Sequence, residues 1–294
     1  MDWIQITNNA EFAALAQDCG VGRIMVDLER LGKQARQGGL GTFISNHRPE
    51  DIAHVRAAAP KADLIVRINP LHVGSSNEIA QAIGAGADTL MLPMFEQPDT
   101  LQTFLQLVAG RARGMALLET RAALQSLPDW ASLSGLDEIY VGLNDLHRQL
   151  GAHFMFEPLG SGVVERVAQT AHAAGKRFGF GGIARLDEGL LPGRVVLAEH
   201  LRLGSSSVIL SRTFNREMVE GMPRHGHARE GQAWQAVYRC EIARLRHAAH
   251  VLASRTPDEV ESDRLLACDL IGKAAATLSA SMPVAAQPTH ASTA

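Results

Sequence analysis

The sequence predicts an α/β fold in which a (β/α)8 TIM barrel is followed by extra C-terminal helices. Short apolar runs typical of buried strands alternate with helical segments from residue 3 to residue 210. There are eight such units, which is the number of strands that closes a parallel barrel. No G-x-G-x-x-G motif follows the first strand, so an open dinucleotide-binding sheet is disfavoured.

Each predicted element has a local signal in the chain. Asn8 or Asn9 caps the first helix, Pro49 opens the second, and Gly175 follows the end of a later one. The predicted strands are residues 3–7, 23–27, 62–68, 89–92, 115–118, 139–143, 177–180 and 207–210. The predicted helices are residues 10–18, 49–58, 76–83, 100–108, 121–133, 163–174 and 194–203.

The pattern changes at about residue 215. Residues 231–253 and 258–278 have the apolar spacing of two long helices. We therefore expect a barrel domain over 1–215, C-terminal helices within 216–278 and a disordered tail over 279–294. One of the two helices would close the barrel, and the other is left to contact a partner subunit in a homo-oligomer.

Composition narrows the class of protein. The 294 residues are 46% hydrophobic and 20% charged, which is enough apolar material for a large core. The net charge of −3 argues against a nucleic-acid-binding surface. The three cysteines form no C-x-x-C pair, the start of the chain lacks a signal-peptide pattern, and no apolar run approaches a membrane span of roughly 20 residues. We expect a cytoplasmic protein without nucleic-acid or membrane partners.

Two carboxylates suggest a metal site. Glu119 and Asp145 each follow a predicted strand, and the helix predicted between these strands makes the strands parallel. Both carboxylates then emerge at the C-terminal edge of the sheet, where barrels hold their active sites. Such a pair suits a hard cation such as Mg²⁺. The alternative is that both only cap helices or face water.

Charged residues end the second and third strands. Arg67 follows a run apolar enough to be buried on both faces, so it is predicted to bind a substrate carboxylate or phosphate as a fork. The alternative is an internal ion pair with a neighbouring acid. Asp27 and Glu29 could hold a water molecule, accept a hydrogen bond from substrate, or pair with Arg67.

Further candidates follow other strands. His47 is a possible general acid or base, although a surface position fits its sequence context equally well. Gly181 and Gly182 lie in a glycine-rich turn that could bind phosphate through backbone N–H groups, joined by Ser211 and Arg212, or could simply be tight turns.

Two other clusters have weaker functional signals. His225 and His227 have no third ligand nearby in the sequence, so we interpret them as part of a loop. The basic residues of the first C-terminal helix are expected to form a solvated or inter-subunit face. They are Arg239, Arg244, Arg246, His247 and His250.

Five motifs in order resemble the pyruvate-type aldolase and citrate lyase β-subunit family of the phosphoenolpyruvate/pyruvate barrel superfamily. They are VDLER (26–30), VRINP (66–70), GADTLMLPMFE (86–96), LLET (117–120) and VGLNDLHRQLG (141–151). The resemblance implies that Glu119 and Asp145 bind metal and that Arg67 contacts substrate. It also implies that residues 86–93 line the site and that the C-terminal helices exchange between subunits. Pro93 and Gly142, within these motifs, are expected to bind substrate.

The chain departs from this family in the motif after the second strand, in its Gly181-Gly182 turn and in its long C-terminal extension. The aldolase branch has a D-G-E-H motif after the second strand, and its histidine works in acid–base catalysis. Here Arg30 occupies that position, in Asp27-Leu28-Glu29-Arg30. The motif is closer to the D-L-E-D of the citrate lyase branch, but Arg30 replaces an acid there too. His47 is a candidate substitute for the missing histidine.

The sequence therefore predicts a carbon–carbon lyase of aldolase type that uses Mg²⁺, Mn²⁺ or Co²⁺ and acts on a 2-oxo acid. The metal would stabilise a pyruvate enolate and Arg67 would orient the carboxylate. His47, or a metal-bound water held by Asp27 or Glu29, would serve the proton transfer. One alternative is a lyase or transferase acting on a CoA thioester or phosphoenolpyruvate. Another is a barrel that binds a 2-oxo acid without turnover.

Overall fold

The chain forms a closed barrel of eight parallel strands in a computed structural model that describes residues 1–32, 46–218 and 234–281. Each strand pairs with the next in sequence, and β8 pairs with β1. This topology confirms the predicted fold class. The strands are β1 (Asp2–Ile6), β2 (Arg23–Asp27), β3 (Asp63–Arg67), β4 (Thr89–Leu92), β5 (Arg113–Leu118), β6 (Leu136–Val141), β7 (Arg177–Ile183) and β8 (Ser207–Leu210).

Helices surround the barrel and occupy its connections. Asn9 caps the first of them by accepting a hydrogen bond from the Phe12 amide, as its position predicts. The helices are α1 (Ala10–Asp18), α2 (Pro49–Ala58), α3 (Ser75–Gly84), α4 (Pro98–Val108), α5 (Arg121–Gln125), α6 (Leu127–Trp130), α7 (Leu143–Gln149), α8 (Glu157–Gly160), α9 (Val163–Ala173), α10 (Gly193–Arg202), α11 (Trp234–Leu252) and α12 (Pro257–Ser281). Two 3₁₀ turns, Arg212–Phe214 and Arg216–Met218, follow β8.

The single helix predicted over 121–133 is wrong. The segment divides at Ser126 into the short helices α5 and α6. Pro128 lies in the first turn of α6, where its missing N–H is tolerated, but it cannot continue the hydrogen bonding of α5. The proline was a visible signal for this break.

The strand predicted over 139–143 is displaced. β6 ends at Val141, and Gly142 is the N-terminal cap of α7, a helix that the sequence analysis missed. Asp145 in the first turn of α7, with His147 and Arg148 in its last turn, matches the charge preference of a helix and could have revealed it.

The barrel interior has an apolar middle layer. Alternate residues of the strands point inward, and seven buried ones pack together there. These residues are Ile4, Met25, Ile65, Met91, Met115, Leu117 and Tyr140. Beneath this layer, at the N-terminal ends of the strands, Arg23 reaches across the barrel from β2 to Glu138 of β6. Above it, the inward-facing positions of β2 and β3 are Asp27 and Arg67.

The two C-terminal helices pack on the barrel of their own chain. On α11, Tyr238 is buried against Phe12 of α1, so this helix completes the ring of helices. On α12, Ala267 and Ile271 are buried and the helix lies against α8 and α10. Because α12 runs to Ser281, the predicted tail boundary at 279 is wrong, and residues 282–294 lie outside the described part of the chain.

Each of the three cysteines is a free thiol, as the odd number without a paired motif suggested. Among the described helices, none has both the length and the apolar character needed to cross a membrane. His225 and His227, which we interpreted as loop residues, fall outside the described ranges. The basic face of α11 makes contacts within the chain, because Arg244 pairs with Asp187 and Arg246 donates to the Cys19 carbonyl.

Candidate active site

Charged side chains meet at the C-terminal end of the barrel, directly above the apolar layer. Asp27 and Arg67 end β2 and β3 and are paired in register across the two strands. Glu119 follows β5, two residues beyond the inward-facing Leu117. Because strand side chains alternate, all three share the inner face of the barrel.

Arg67 forms a two-pronged ion pair with Asp27. Its Nε donates to Asp27 Oδ1 at 2.8 Å and its Nη2 donates to Oδ2 at 2.7 Å, while Glu29 Oε2 lies 3.6 Å from Nε. Burial opposes the charge of Arg67, but Asp27 and Glu29 outweigh it and raise the pKa of the guanidinium. The internal ion pair considered as an alternative for Arg67 is therefore present, and Asp27 occupies the fork of the guanidinium.

Glu119 is buried in an environment that disfavours its charge. Its side chain is only 3% exposed, and its Oε1 accepts one hydrogen bond from the Met94 amide at 3.0 Å. Burial, together with Glu29 and Asp145, raises the pKa of Glu119 to about 8, although Arg67 opposes the shift. Its acidity is thus perturbed in the way that is common at functional sites.

The Met94 amide reaches Glu119 from a strained backbone. Met94 has a φ of +53°, in the left-handed region that side chains rarely adopt. It follows Pro93, the predicted substrate-binding residue at the end of β4. Strain of this kind often occurs at functional sites.

The absence of a side chain at Gly142 leaves room for the carboxylate of Glu119. A Cβ on Gly142 would lie 2.7 Å from Glu119 Oε2 and 3.0 Å from Glu119 Cβ. The backbone of Gly142 has a φ of −83°, so the requirement for glycine is one of space and not of conformation. Three residues later, in the first turn of α7, Asp145 is close enough to affect the acidity of Glu119. The two predicted metal ligands therefore lie at the same end of the barrel, near enough for their charges to interact.

His47 also lies at this end of the barrel, and it is buried. Its Nδ1 accepts a hydrogen bond from the Asp27 amide at 2.9 Å, and its backbone carbonyl accepts one from Arg30 Nη2 at 2.8 Å. Because Nδ1 is the acceptor, the proton of the neutral ring is on Nε2. The surface position considered for His47 is therefore wrong. Arg30, which occupies the position of the family's catalytic histidine, contacts the backbone of His47, the residue proposed to replace that histidine.

Asn69 holds the segment after β2 in place, a role that sequence reasoning missed. Its Oδ1 accepts hydrogen bonds from the amides of Arg30 at 2.8 Å and Leu31 at 3.0 Å. Its Nδ2 donates to Glu78 Oε1 at 2.8 Å. Asn69 thereby ties the segment after β2 to α3. Its place immediately after Arg67 and Ile68 was the available signal.

Gly181 and Gly182 were predicted to form a turn after the seventh strand. This prediction is wrong, because both glycines lie within the last residues of β7. Gly181 has a φ of +50°, and a Cβ there would lie 2.8 Å from Leu143 Cδ1, so this position needs glycine on both counts. Ser211 follows β8 and caps the 3₁₀ turn that begins at Arg212.

The resemblance implied that residues 86–93 line the site, but the first part of this segment lies at the opposite, N-terminal end of the barrel. Gly86 and Asp88 precede β4, so they are at the N-terminal ends of the strands. There Arg56 donates to the Gly86 carbonyl and pairs with Asp88. Strand direction separates these residues from Pro93, which is at the C-terminal end.

The donor set fits a divalent cation bound through few protein ligands. Within the described ranges, no three His, Cys, Asp or Glu side chains are grouped as a complete metal site. Glu119 and Asp145 are nevertheless a suitable carboxylate pair for Mg²⁺, which often keeps several positions for water and substrate oxygens. A cation there would also compensate for the mutual repulsion of these carboxylates.

Comparison with solved structures supports the fold. A citrate synthase, SbnG, has a TM-score of 0.57 at 18% identity, covering 74% of this chain and 89% of that chain. An aldolase/citrate lyase family protein from Burkholderia cenocepacia has a TM-score of 0.57 at 16% identity, covering 74% and 90%. An aldolase from Desulfitobacterium hafniense has a TM-score of 0.56 at 15% identity, covering 76% and 95%. Identities this low show the fold alone.

Sequence comparison adds the family. A hydroxypyruvate/pyruvate aldolase from Rhizorhabdus wittichii is 38% identical over 80 residues, which are 25% of this chain and only 32% of that protein. The sequence profile of the family described as HpcH/HpaI aldolase/citrate lyase matches residues 7–180. Together these similarities support a carbon–carbon lyase. Because the profile covers more than half of the chain, the chain belongs to the HpcH/HpaI aldolase/citrate lyase family.

Proposed function

We propose that this protein is a divalent-metal-dependent aldolase that makes or breaks a carbon–carbon bond next to the enolate of a 2-oxo acid. The observation that carries the proposal is the convergence of Glu119 and Asp145, from β5 and α7, beside Arg67 at the C-terminal end of the barrel. Mg²⁺, Mn²⁺ or Co²⁺ held by these two carboxylates supplies a Lewis acid that stabilises the charge of the enolate.

Arg67 orients the carboxylate of the 2-oxo acid. Its Nε and Nη2 are occupied by Asp27, so the substrate is met by Nη1. Asp27 acts mainly through Arg67, because its two oxygens fix the plane of the guanidinium. Pro93, Gly142 and the edge formed by Gly181 and Gly182 complete the substrate-binding surface.

Glu29 and His47 serve the proton transfer. When the bond breaks, its electron pair passes to the enolate and the substrate hydroxyl loses a proton as it becomes a carbonyl. His47 has its proton on Nε2 and its Nδ1 occupied by the Asp27 amide, so it acts as a hydrogen-bond donor. Glu29, whose carboxylate lies 3.6 Å from Arg67 Nε, is then the acceptor of the hydroxyl proton.

Hydrogen–deuterium exchange at the methyl group of pyruvate in D₂O, followed by NMR with and without Mg²⁺ or Mn²⁺, tests this function. We expect metal-dependent exchange, because enolate formation removes a methyl proton reversibly. Absence of exchange with every metal tried would contradict the proposal and favour chemistry on a CoA thioester or phosphoenolpyruvate, or binding without turnover. Addition of EDTA is the control for metal dependence.

We also propose that the protein is a homo-oligomer through its C-terminal helices. On α12, Leu265 and Leu266 are 55% and 47% exposed, although the opposite face of the helix is buried on the barrel. Light scattering of the full chain and of a Leu265→Asp/Leu266→Asp variant tests this assembly. A monomeric wild type would contradict it.

A further inference from the structure

The pairing of β7 with β8 contains a gap beside the candidate active site. Gly179 pairs with Ser207, and the next regular pair is Gly182 with Ile209. The first strand advances three residues while the second advances two, so β7 carries one extra residue. A bulge of this kind leaves backbone groups without their normal partners in the ladder.

The side chain of Tyr140 fills this gap from inside the barrel. Its hydroxyl accepts a hydrogen bond from the Ile209 amide at 2.9 Å and donates one to the Gly181 carbonyl at 2.7 Å. The Phe180 carbonyl lies 3.3 Å from the same oxygen. The hydroxyl therefore joins β7 and β8 at the point where their direct ladder is interrupted.

Gly179 makes room for this tyrosine. A Cβ at Gly179 would lie 2.6 Å from Tyr140 Cε2 and 2.7 Å from the Ser207 carbonyl oxygen. Tyr140 itself is 1% exposed, and burial raises the pKa of its hydroxyl, so the group stays protonated and able to donate. The ring and the glycine thus form a matched pair on neighbouring strands.

The bulge sets the position of the residues above it. Phe180 and Ile183 both point outward, into the core between the barrel and its helices. In a regular strand, residues three apart point to opposite faces, so the alternation of side chains shifts by one residue at Gly181. Gly181 is also placed close against Leu143, the first residue of α7 and two residues before Asp145. The tip of β7 is therefore held between Tyr140 and the helix that carries a proposed metal ligand.

We propose that Tyr140 is a positioning residue whose hydroxyl holds the Gly181–Gly182 edge in the geometry that the 2-oxo acid requires. The proposal rests on the proposed function only for the identity of the substrate. Its structural part, that this hydroxyl closes the β7–β8 gap, stands on the hydrogen bonds and register alone. Tyr140 need not touch the substrate.

The chain contains two tyrosines, which provides a matched control. Tyr238 is equally buried, and its hydroxyl donates to Gln5 Oε1 at 3.1 Å, outside the barrel. Tyr140→Phe and Tyr238→Phe each remove one hydroxyl and keep the ring, so both variants are expected to fold. The two variants are compared by amide hydrogen exchange with mass spectrometry and by the kinetics of pyruvate methyl exchange.

In Tyr140→Phe, we expect amide exchange to rise at least about tenfold in peptides covering 179–183 and 207–211, because the Ile209 amide and Gly181 carbonyl lose their shared partner. We expect the KM for pyruvate to rise about tenfold, with a smaller change in kcat. In Tyr238→Phe, both KM and the exchange of these peptides should change less than twofold.

The two parts of the proposal can fail separately from the proposed function. Unchanged amide exchange in Tyr140→Phe would overturn the closing role of the hydroxyl. Increased local exchange with KM and kcat both within twofold of wild type would overturn its role in positioning the substrate edge. If wild type exchanges no pyruvate protons, the proposed function fails. The affinity for pyruvate, measured by calorimetry for wild type and Tyr140→Phe, then replaces KM. Equal affinities would overturn the positioning role.

Discussion

Charged side chains fill both ends of this barrel, but the two ends differ in what surrounds their buried glutamates. At the N-terminal end, three arginines from β2, β5 and β7 meet three carboxylates, so that the charges are equal in number. The arginines are Arg23, Arg113 and Arg177, and the carboxylates are Asp2, Asp63 and Glu138. At the C-terminal end, Arg67 interacts with three carboxylates, and a fourth interacts with Glu119. These four are Asp27, Glu29, Glu119 and Asp145.

The difference separates charges that stabilise the fold from charges that we propose take part in the reaction. Glu138 at the N-terminal end is 2% exposed, yet Arg23 donates to it at 2.7 Å and Ser207 at 2.5 Å, so its burial is compensated. Glu119 at the other end is 3% exposed, but neighbouring carboxylates add to the effect of burial and raise its pKa to about 8. A cation bound by Glu119 and Asp145 would relieve the repulsion between these two carboxylates.

The largest expected effect is on activity, in Glu119→Gln. The amide keeps the size of the side chain but removes the charge that would bind the metal, so we expect metal-dependent methyl exchange to fall roughly 1,000-fold. The fold should be retained, because the amide oxygen can still accept the hydrogen bond from the Met94 amide and Arg67 keeps its direct ion pair with Asp27. Activity near that of wild type would refute the metal assignment, as it would for Asp145→Asn.

In Glu138→Gln, at the N-terminal end, we expect lower stability with activity retained. Removal of this charge leaves Arg23 buried without its closest partner, and we expect the free energy of unfolding to fall by about 3–5 kcal/mol. Methyl exchange per folded molecule should stay within twofold, since β6 is otherwise unchanged. Urea denaturation and the exchange assay on the same sample measure both quantities. Lost activity in a folded Glu138→Gln variant would contradict the purely structural role that we assign to the charges at the N-terminal end.

A smaller effect is expected in Gly142→Ala. The added methyl group would lie 2.7 Å from Glu119 Oε2, so the carboxylate must move by several tenths of an ångström. We expect activity to fall by about 10-fold to 100-fold, because misplacement of a catalytic group by roughly 1 Å costs about 100-fold and this displacement is smaller. Gly22→Ala is a matched control, since a Cβ there would meet nothing closer than 3.8 Å. Equal activity of the two variants would show that the position of Glu119 is not critical.

The sequence was sufficient for the fold because each strand is a short apolar run with its own boundaries. The order of charged residues along the chain also placed Asp27, Arg67 and Glu119 correctly at the C-terminal edge, since parallel strands bring their ends together. By the same rule, Gly86 and Asp88 could have been assigned to the opposite end, because they precede their strand.

What escaped prediction were interactions between side chains from distant segments. The pairing of Arg67 with Asp27 depends on strand register, and the contact of Gly142 with Glu119 depends on atoms 23 positions apart in the chain. The bulge in β7 was mistaken for a turn, because neighbouring glycines in a sequence favour either structure.

The last prediction concerns how pH affects stability in the metal-free protein. In the folded state the pKa of Glu119 is raised to about 8 by burial and by neighbouring carboxylates, from an ordinary value of 4.5. Between these values the folded protein binds more protons than the unfolded chain, so stability falls as pH rises, by roughly 1.4 kcal/mol for each pH unit. Buried His200, with its pKa lowered to about 3, has the opposite effect below pH 6.5.

Measurements between pH 6.5 and 8 therefore isolate Glu119 from His200. With EDTA present, the free energy of unfolding of Glu119→Gln should gain roughly 2 kcal/mol on that of wild type across this interval, because the amide does not titrate. Urea denaturation at four pH values measures the difference, and Glu138→Gln, whose substitution is at the other end, serves as the comparison. Parallel pH profiles for wild type and Glu119→Gln would mean that Glu119 is ionised throughout. In that case the charge of Glu119 is already compensated within the chain, and the argument for a cation there would rest on geometry alone.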